Sequence, residues 1–488
     1  MPIRPYDQNQ QFLLPPNLNE WVKKDNPARV FSELVDRLEI SEFQEIKLEG
    51  RPRFATRMML KILIWGYANG IRSSRKLEER LYADVIFMWL SGLEKPDFRT
   101  ICLFRKTNLE RLNYLFSQVI LLAQALKLVR LGLIALDGTK VRANVAIDSF
   151  KKVQDWTEEL RQTQAQVKQI LAEAEIADLA EDKKYGAEFR GDELPKGLEQ
   201  AETRIKQIEA LMKEIKCQGQ DDNHRVSNTD TEAGFMHYHN GSIPAYNCAV
   251  AATKDQIIVH SDVTVEPVDT NQLVPALDGI KQTCGKKPGK VLADAGFNHG
   301  HNFRELEDRK IDGYIPESSE ENIGKDRGRN TGLYTKETFQ YDEARDCYIC
   351  PAGEVLEVVN RSHRRTKYSE RRTNTYSPEE GKCPRCAQKV KCTVSARRRI
   401  NRGEFEAAQV RMKQKLKTEA GREIYKKRKT IVEPVIGQIK VVGGFIRFLL
   451  RGLVGAKTEW KWATIAHNLL KMTRKIMSGE RELLPLPV

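Results

Sequence analysis

No stretch of the sequence is long and apolar enough to cross a bilayer. The most apolar later segment, Val441 to Val454, is interrupted by Arg447 and Arg451 and is too short to span. A charged-then-apolar N-terminal signal is also missing, since Met1-Pro2-Ile3-Arg4 leads into a polar segment, and the expectation is a cytoplasmic protein. Cysteine is scarce, nine in 488 residues, which argues against a disulfide framework and suits a reducing compartment. No His-Glu-x-x-His segment accompanies His237, His239, His299 and His301. These histidines therefore do not read as a zinc hydrolase site, and surface or substrate-contact roles are expected of them.

What is present is ordinary globular material with a strong charge bias. A chain of 488 residues accommodates two or three domains and a full core. Charged residues make up 30 % and hydrophobic residues 40 %, and the net charge of +14 points to a polyanionic partner. Charge alone fits nucleic acid, ribosome or acidic membrane equally well.

To about Leu131 the sequence reads as all-helical. Val30 to Leu38 and Met58 to Tyr67 place apolar residues at helical spacing. Ser73-Ser74 is an N-cap for a helix over Arg75 to Tyr82. Pro96-Asp97 opens another, with Phe98 and Ile101 inward and Arg99, Thr100, Arg105 and Lys106 outward. Several short helices with outward cations suit a helix-turn-helix-like DNA reader, and equally a bundle whose cations face water.

Two short apolar runs then end in aspartate with glycine close behind. Leu133 to Lys140 (LIALDGTK) presents Asp137 and Gly138 at a strand end; Lys290 to Phe297 (KVLADAGF) presents Asp294 and Gly296. A third carboxylate, Glu433, lies in a helical stretch from Arg428 to Lys440, among cations. Converging, these three would form an oxygen-only site for two Mg²⁺ or Mn²⁺ ions. Such a pair, roughly 3.5–4 Å apart, serves phosphodiester chemistry. Asp148, Asp230, Asp262 and Asp269 compete for the role. Asp230 precedes the second strand and suits a supporting position, whereas Asp262 and Asp269 lack the apolar lead-in.

Around these runs the pattern gives strands at Ala245 to Ala252 and Ile257 to Val265, joined by Thr253-Lys254-Asp255-Gln256. A helix over Asn271 to Gln282, a strand over Val291 to Ala293, a helix over Phe303 to Arg309 and a strand over Gly313 to Pro316 follow. Antiparallel strands followed by alternating helices and strands is the ribonuclease H-like order. Two insertions interrupt it. Leu198, Ala201, Ile205, Ile208, Met212 and Ile215 form a coiled-coil seam facing Leu160, Val167, Ile170 and Leu171, so Ser149 to Cys217 reads as a helical hairpin turning near Gly186, Gly191 and Pro195.

The second insertion, Ser318 to Gly403, contains Cys347, Cys350, Cys383 and Cys386, with Cys392 close behind. Four thiolates in two such pairs can hold a structural Zn²⁺, but the fifth cysteine and the long gap leave the ligand set open. Cys102, Cys217, Cys248 and Cys284 read as packed hydrophobes. From Arg397 through Lys429 cations are dense, including Arg402, Arg411, Lys413, Lys415, Lys426 and Lys427, and Arg447 and Arg451 extend this surface. Beside Glu433 they are placed to grip a phosphate backbone. A last helix, about Trp460 to Ile476, is expected to pack back on the core.

The sequence from about Phe12 to about Lys475 resembles the DDE transposases of bacterial insertion sequences, on LDGTK, LADAGF and VEPVIGQIK. The resemblance implies an α/β ribonuclease H-like catalytic domain (131–488, with insertions at 149–217 and 318–403) preceded by a helical DNA-binding domain (1–130). It makes Asp137, Asp294 and Glu433 the catalytic, metal-ligating set for Mg²⁺ or Mn²⁺. Tyr425, Arg428, Glu433 and Lys440 match the family's Tyr-Arg-Glu-Lys signature, although four residues separate Arg428 from Glu433 where the usual pattern has three. DNA, as element ends and target, is the implied partner, a homodimer pairing two ends is expected, and the implied location is the bacterial nucleoid. The rival expectations are an inactive DNA-binding relative and a structure-specific nuclease.

Overall fold

The computed structural model describes residues 17–43, 53–185, 197–217, 221–238, 241–317, 333–365 and 370–483. Phe12, the turn residues Gly186, Gly191 and Pro195, His239 and Ser318 lie outside them, as does the side chain of Asp148.

The first helices form where capping residues meet apolar spacing. Asn26 caps Pro27–Asp36 by accepting from the Ala28 amide at 2.9 Å, and Asp97 caps Phe98–Lys106 through Thr100 N at 2.7 Å. Thr56–Ala68, Ser74–Ala83, Val85–Ser91 and Leu109–Ala125 complete the group. Ser73 holds the N-cap position of its helix but makes no side-chain capping bond.

These helices do not form a free-standing bundle. They pack on the last long helix, Gly452–Met477, and share one buried core with it and with the sheet, from Phe31, Leu63 and Leu77 to Trp460, Trp462 and Leu469. Arg105, expected to point outward, is instead 4 % exposed. The reason is Glu459, fully buried on the last helix, which accepts from Leu449 N at 2.6 Å and Leu450 N at 2.9 Å and pairs with Arg72 at 3.4 Å. A buried carboxylate requires cations nearby, and Arg105, whose guanidinium donates to Arg72 O, lies close enough for its charge to act on Glu459.

The sheet begins with β1 (Ile134–Arg142). A short pair, β2 (Phe150–Lys152) and β3 (Arg225–Ser227), brackets the helices Val153–Tyr185 and Leu198–Cys217. Then come β4 (Gly234–Tyr238), β5 (Gly241–Thr253), β6 (Ile258–Thr264), β7 (Lys290–Leu292) and β8 (Asp312–Tyr314). β5 runs antiparallel to β1 along one edge and to β4 and β6 along the other, whereas β7 is parallel to β1 and β8 parallel to β7. The helices Leu273–Cys284 and Gly300–Asp308 cover one face through Leu277, Ile280, Phe303 and Leu306; the last helix covers the other.

Further expectations are corrected. β1 does not stop at Asp137: its antiparallel ladder with β5 continues to Arg142↔Ala245, while β7 accompanies it only at Ile134 and Ala135. In the helical pair, Leu171 is 48 % exposed, and the anchor is Trp156, whose indole donates to Val226 O at 3.0 Å beside Ile208, Leu211 and Ile215. Cys217 is exposed rather than packed; Cys248 is buried, and Cys102 and Cys284 are half-buried. The cysteine-rich segment is largely sheet: β9 (Gln340–Asp342), β10 (Cys347–Ile349), β11 (Val355–Arg365), β12 (Glu370–Ser377) and β13 (Ile400–Gly403), in the order β13-β12-β11-β10-β9. Among the described residues no helix is long and apolar enough to cross a membrane.

Candidate active site

The early end of β7 creates the site. Past Ala135 the edge of β1 has no strand beside it until Arg142 meets the segment around Arg447, where Arg142 N donates to Ile446 O at 3.3 Å and Phe448 N to Arg142 O at 2.9 Å. Asp137 lies in that gap, and the stretch Arg428–Val442 closes over it. Ile431, Val432, Val435 and Ile439 bury this stretch in the main core, which fixes its polar residues against β1.

Arg428 and Lys440 are the residues that reach β1. Arg428 Nη1 donates to Asp137 Oδ2 at 2.9 Å, and Arg428 Nη2 stands 3.4 Å from Glu433 Oε1. The extra residue between Arg428 and Glu433 is absorbed because they head separate short helices, Arg428–Ile431 and Glu433–Gly437. Lys440 Nζ donates to Thr139 Oγ1 and Lys140 O, each at 3.0 Å. Lys440 sits in a turn of π-helix, Gln438–Val442, and burial holds its ammonium below the usual lysine range. Tyr425 is half-buried beside Arg428, and burial pushes its hydroxyl up.

Asp137 is the electrostatically unusual carboxylate. Burial raises it to about 6; Arg428 opposes the shift and the nearby charge of Asp294 adds to it. Asp294 follows β7 and accepts from Gly296 N at 2.9 Å, capping the 3₁₀ turn Ala295–Phe297. The convergence expected of the three acids is thus partial. Asp137 and Asp294 are neighbours, whereas Glu433, with a side chain 44 % exposed, joins them through the guanidinium of Arg428. Among the described residues, no group of three or more His, Cys, Asp or Glu is set to hold a metal ion. Oxygen-only donors, one desolvated and crowded by a second negative charge, nonetheless suit a hard divalent cation.

Asp269, passed over for want of an apolar lead-in, belongs to this neighbourhood. Its Oδ1 accepts from Asn247 Nδ2 at 2.7 Å, and burial and Asp294 push its carboxyl up. A Cβ on Gly138 would collide with Asp269 Oδ1, and one on Gly296 would stand 3.1 Å from Asp269 Oδ2. Both glycines behind the aspartates therefore make room for the same side chain. By the pleat, Gly138 faces away from Asp137, so Asp269 supports β1 from the opposite face. The signal available in the sequence was the glycine that closely follows each aspartate, Gly138 and Gly296.

The remaining candidates lie elsewhere. Asp230 is buried and accepts from Tyr246 Oη at 2.6 Å, and Asp262 pairs with Lys457 at 2.9 Å. His237 offers its carbonyl to Lys140 Nζ at 3.0 Å, and His299 precedes the helix carrying the exposed His301. Much of the basic run is committed within the fold: Arg411 pairs with Glu307, Lys413 with Glu317, Lys415 with Asp312 and Lys426 with Glu423. Lys427 and Lys429, flanking Arg428, are exposed.

Carboxylates laced with cations, in a mixed α/β protein of net charge +14, have the chemistry of a site that handles a polyanion. Two family models match the chain, one described as a transposase domain (DUF772) over residues 16–107 and one as a transposase DDE domain over residues 349–473. Together they support an insertion-sequence DDE transposase, a DNA transposase enzyme. A comparison with curated proteins finds no match.

Proposed function

We propose that the chain cuts the ends of its own mobile element and joins them to target DNA on a ribonuclease H-like core, with Asp137, Asp294 and Glu433 as the acidic set. The observation that supports this most is the junction of Asp137 with Asp294 on one side and, through Arg428, with Glu433 on the other. In such a core the strand order is β6-β5-β1-β7-β8, with the first acid on β1 and the second just after β7. The helical segment matched at 16–107 would bind the ends, and a dimer would bring two of them together.

Asp137 and Asp294 would hold a divalent cation, Mg²⁺ or Mn²⁺, with Glu433 joining when Arg428 turns to a phosphate. When bound, it supplies charge stabilisation for the attacking and leaving oxygens. The chain's own residues do the positioning. Arg428 is already poised between two carboxylates and offers guanidinium donors to a scissile phosphate, and Lys440, locked on Thr139 and Lys140 O, fixes the register of the acids against the DNA. The exposed Lys427 and Lys429 grip the flanking backbone. Hydrolysis leaves a 3′ hydroxyl, which attacks a target phosphate in a second in-line step without a covalent protein–DNA intermediate.

The test is Mg²⁺-dependent cleavage and strand transfer on terminal-repeat DNA with wild type, Asp137→Asn, Asp294→Asn and Glu433→Gln. Loss of both products with retained end binding is expected for each variant. Full activity in any one removes that residue from the set. Cleavage without joined product would identify a nuclease, and binding indifferent to all three substitutions with no cleavage by wild type would identify a non-catalytic DNA binder.

A further inference from the structure

The sheet β9–β13 has little to hold it together. Its buried apolar cluster consists of Phe339, Tyr348, Leu356, Tyr376 and Ile400, a small core for a segment of this length. Between β12 and β13 the chain makes only a 3₁₀ turn, Cys383–Arg385, and one helical turn, Lys389–Cys392. Segments of this kind are held by disulfides or by a metal, and all the cysteines here are free.

Four of the thiols share one pocket. Cys350, Cys383, Cys386 and Cys392 line one cavity of about 30 Å³, enough for a single small occupant. Cys392 is near enough to the other three for their charges to act on it. Three of the sulfurs accept backbone amides: Cys350 from Glu354 N at 3.3 Å, Cys386 from Gln388 N at 3.4 Å and Cys383 from Arg398 N at 3.4 Å.

Local turns aim those amides. Cys350-Pro351-Ala352-Gly353-Glu354 closes with Gly353 N donating to Cys350 O at 2.8 Å and Cys350 N to Glu354 O at 2.9 Å; Gly353 takes φ 83°, where a side chain would be strained. Cys383-Pro384-Arg385-Cys386 closes with Cys386 N donating to Cys383 O at 3.2 Å. Arg398 ties the loop down, donating to Cys392 O and Tyr334 O, each at 3.0 Å. Cys347 stands apart: it is buried within β10, opposite Asp342, and does not line the cavity. The four sulfurs are not at metal-holding spacing. Ligation would draw them inward, and the loop bearing three of them has no strand or long helix to resist.

We propose that Cys350, Cys383, Cys386 and Cys392 bind one structural Zn²⁺ and that Cys347 is a packing residue outside the ligand set. Four thiolates in tetrahedral array are the ordinary zinc donor set, and the ion would staple the 378–399 loop to the β10–β11 turn. This site is independent of the carboxylates and of the reaction they serve.

Elemental analysis of the full-length protein, purified without chelator, should find about one zinc per chain. Titrating the wild type with a mercurial thiol reagent beside a chromogenic zinc indicator should release that zinc as the thiols react, with no variant needed. Soluble Cys386→Ser and Cys350→Ser should lose it, while Cys347→Ser should keep it. Zinc at trace level only, iron with visible absorbance in its place, or zinc undisturbed by mercurial or by Cys386→Ser would overturn the site. Loss of zinc in Cys347→Ser with retention in Cys350→Ser would overturn the ligand assignment.

Discussion

Replacing Asp137 by asparagine removes a charge that the fold holds at a cost. The carboxyl ordinarily ionises near 3.8 and is raised to about 6 by burial on β1 and by Asp294, even with Arg428 at 2.9 Å. A raised acid is penalised in the folded state when ionised. The penalty is absent below the ordinary value, grows between about 4 and 6, and is fully present above about 6. A shift of this size is worth about 3 kcal/mol at neutral pH. Asparagine keeps the shape and one acceptor for Arg428, so the hydrogen bond can survive while the ion pair is lost, and the net gain should be about 1–3 kcal/mol at pH near 7.5. In a chain of this size that corresponds to a rise in melting temperature of about 1–3 °C. Differential scanning fluorimetry from about pH 5 to 8 should show the variant more stable at neutral pH and the gap closing towards acid. Mg²⁺ should raise the melting temperature of wild type near pH 7.5 and leave the variant unmoved. A variant less stable than wild type at neutral pH, or a gap that ignores pH, would refute the picture of a desolvated, charge-crowded Asp137.

Arg428→Ala should push Asp137 further up, because the guanidinium is what holds it down. The acidic limb of the cleavage pH profile should then move to higher pH, and an unmoved limb would separate Arg428 from Asp137 in function. Gly138→Ala should cost about 1–3 kcal/mol in chemical denaturation through overpacking against Asp269. Combining it with Asp269→Ala should return most of that loss, and strict additivity would count against the contact. Glu459→Ala should cost about 3–5 kcal/mol, since Arg72 and two backbone amides lose their buried partner. A loss below about 1 kcal/mol would mean the carboxylate is not what fastens the helical segment to the last helix.

Several features of the site were legible one residue at a time. The apolar lead-ins to Asp137 and Asp294 are local facts, because a strand covered on both faces must be apolar. Lys440, read as a phosphate contact, reaches β1 at Thr139 and Lys140. Asp269 and Arg105 each answer to a partner remote in sequence. Asp269 looks like a polar loop residue until Gly138 and Gly296 are seen to leave space for it. Arg105 looks like an outward helix cation until Glu459 arrives from the last helix; Arg72, its neighbour in that network, is 387 residues from Glu459. The length of β1 is not legible locally because Asp137-Gly138 reads as a strand end, while the ladder partners of Gly138 to Arg142 lie on β5.

The sequence by itself determined the core strands β1, β5, β6, β7 and β8 with the helices between them, the two apolar runs that lead to Asp137 and Asp294, the basic balance and the paired cysteines, since each depends on neighbouring residues and on periodicity. Only the tertiary structure decided which charges meet. It put Arg428 between Asp137 and Glu433, brought Asp269 beneath Gly138, buried Arg105 near Glu459 and sorted Cys347 from the other four thiols. Burial and Coulomb interaction act through space and desolvation, and neither is written in local spacing.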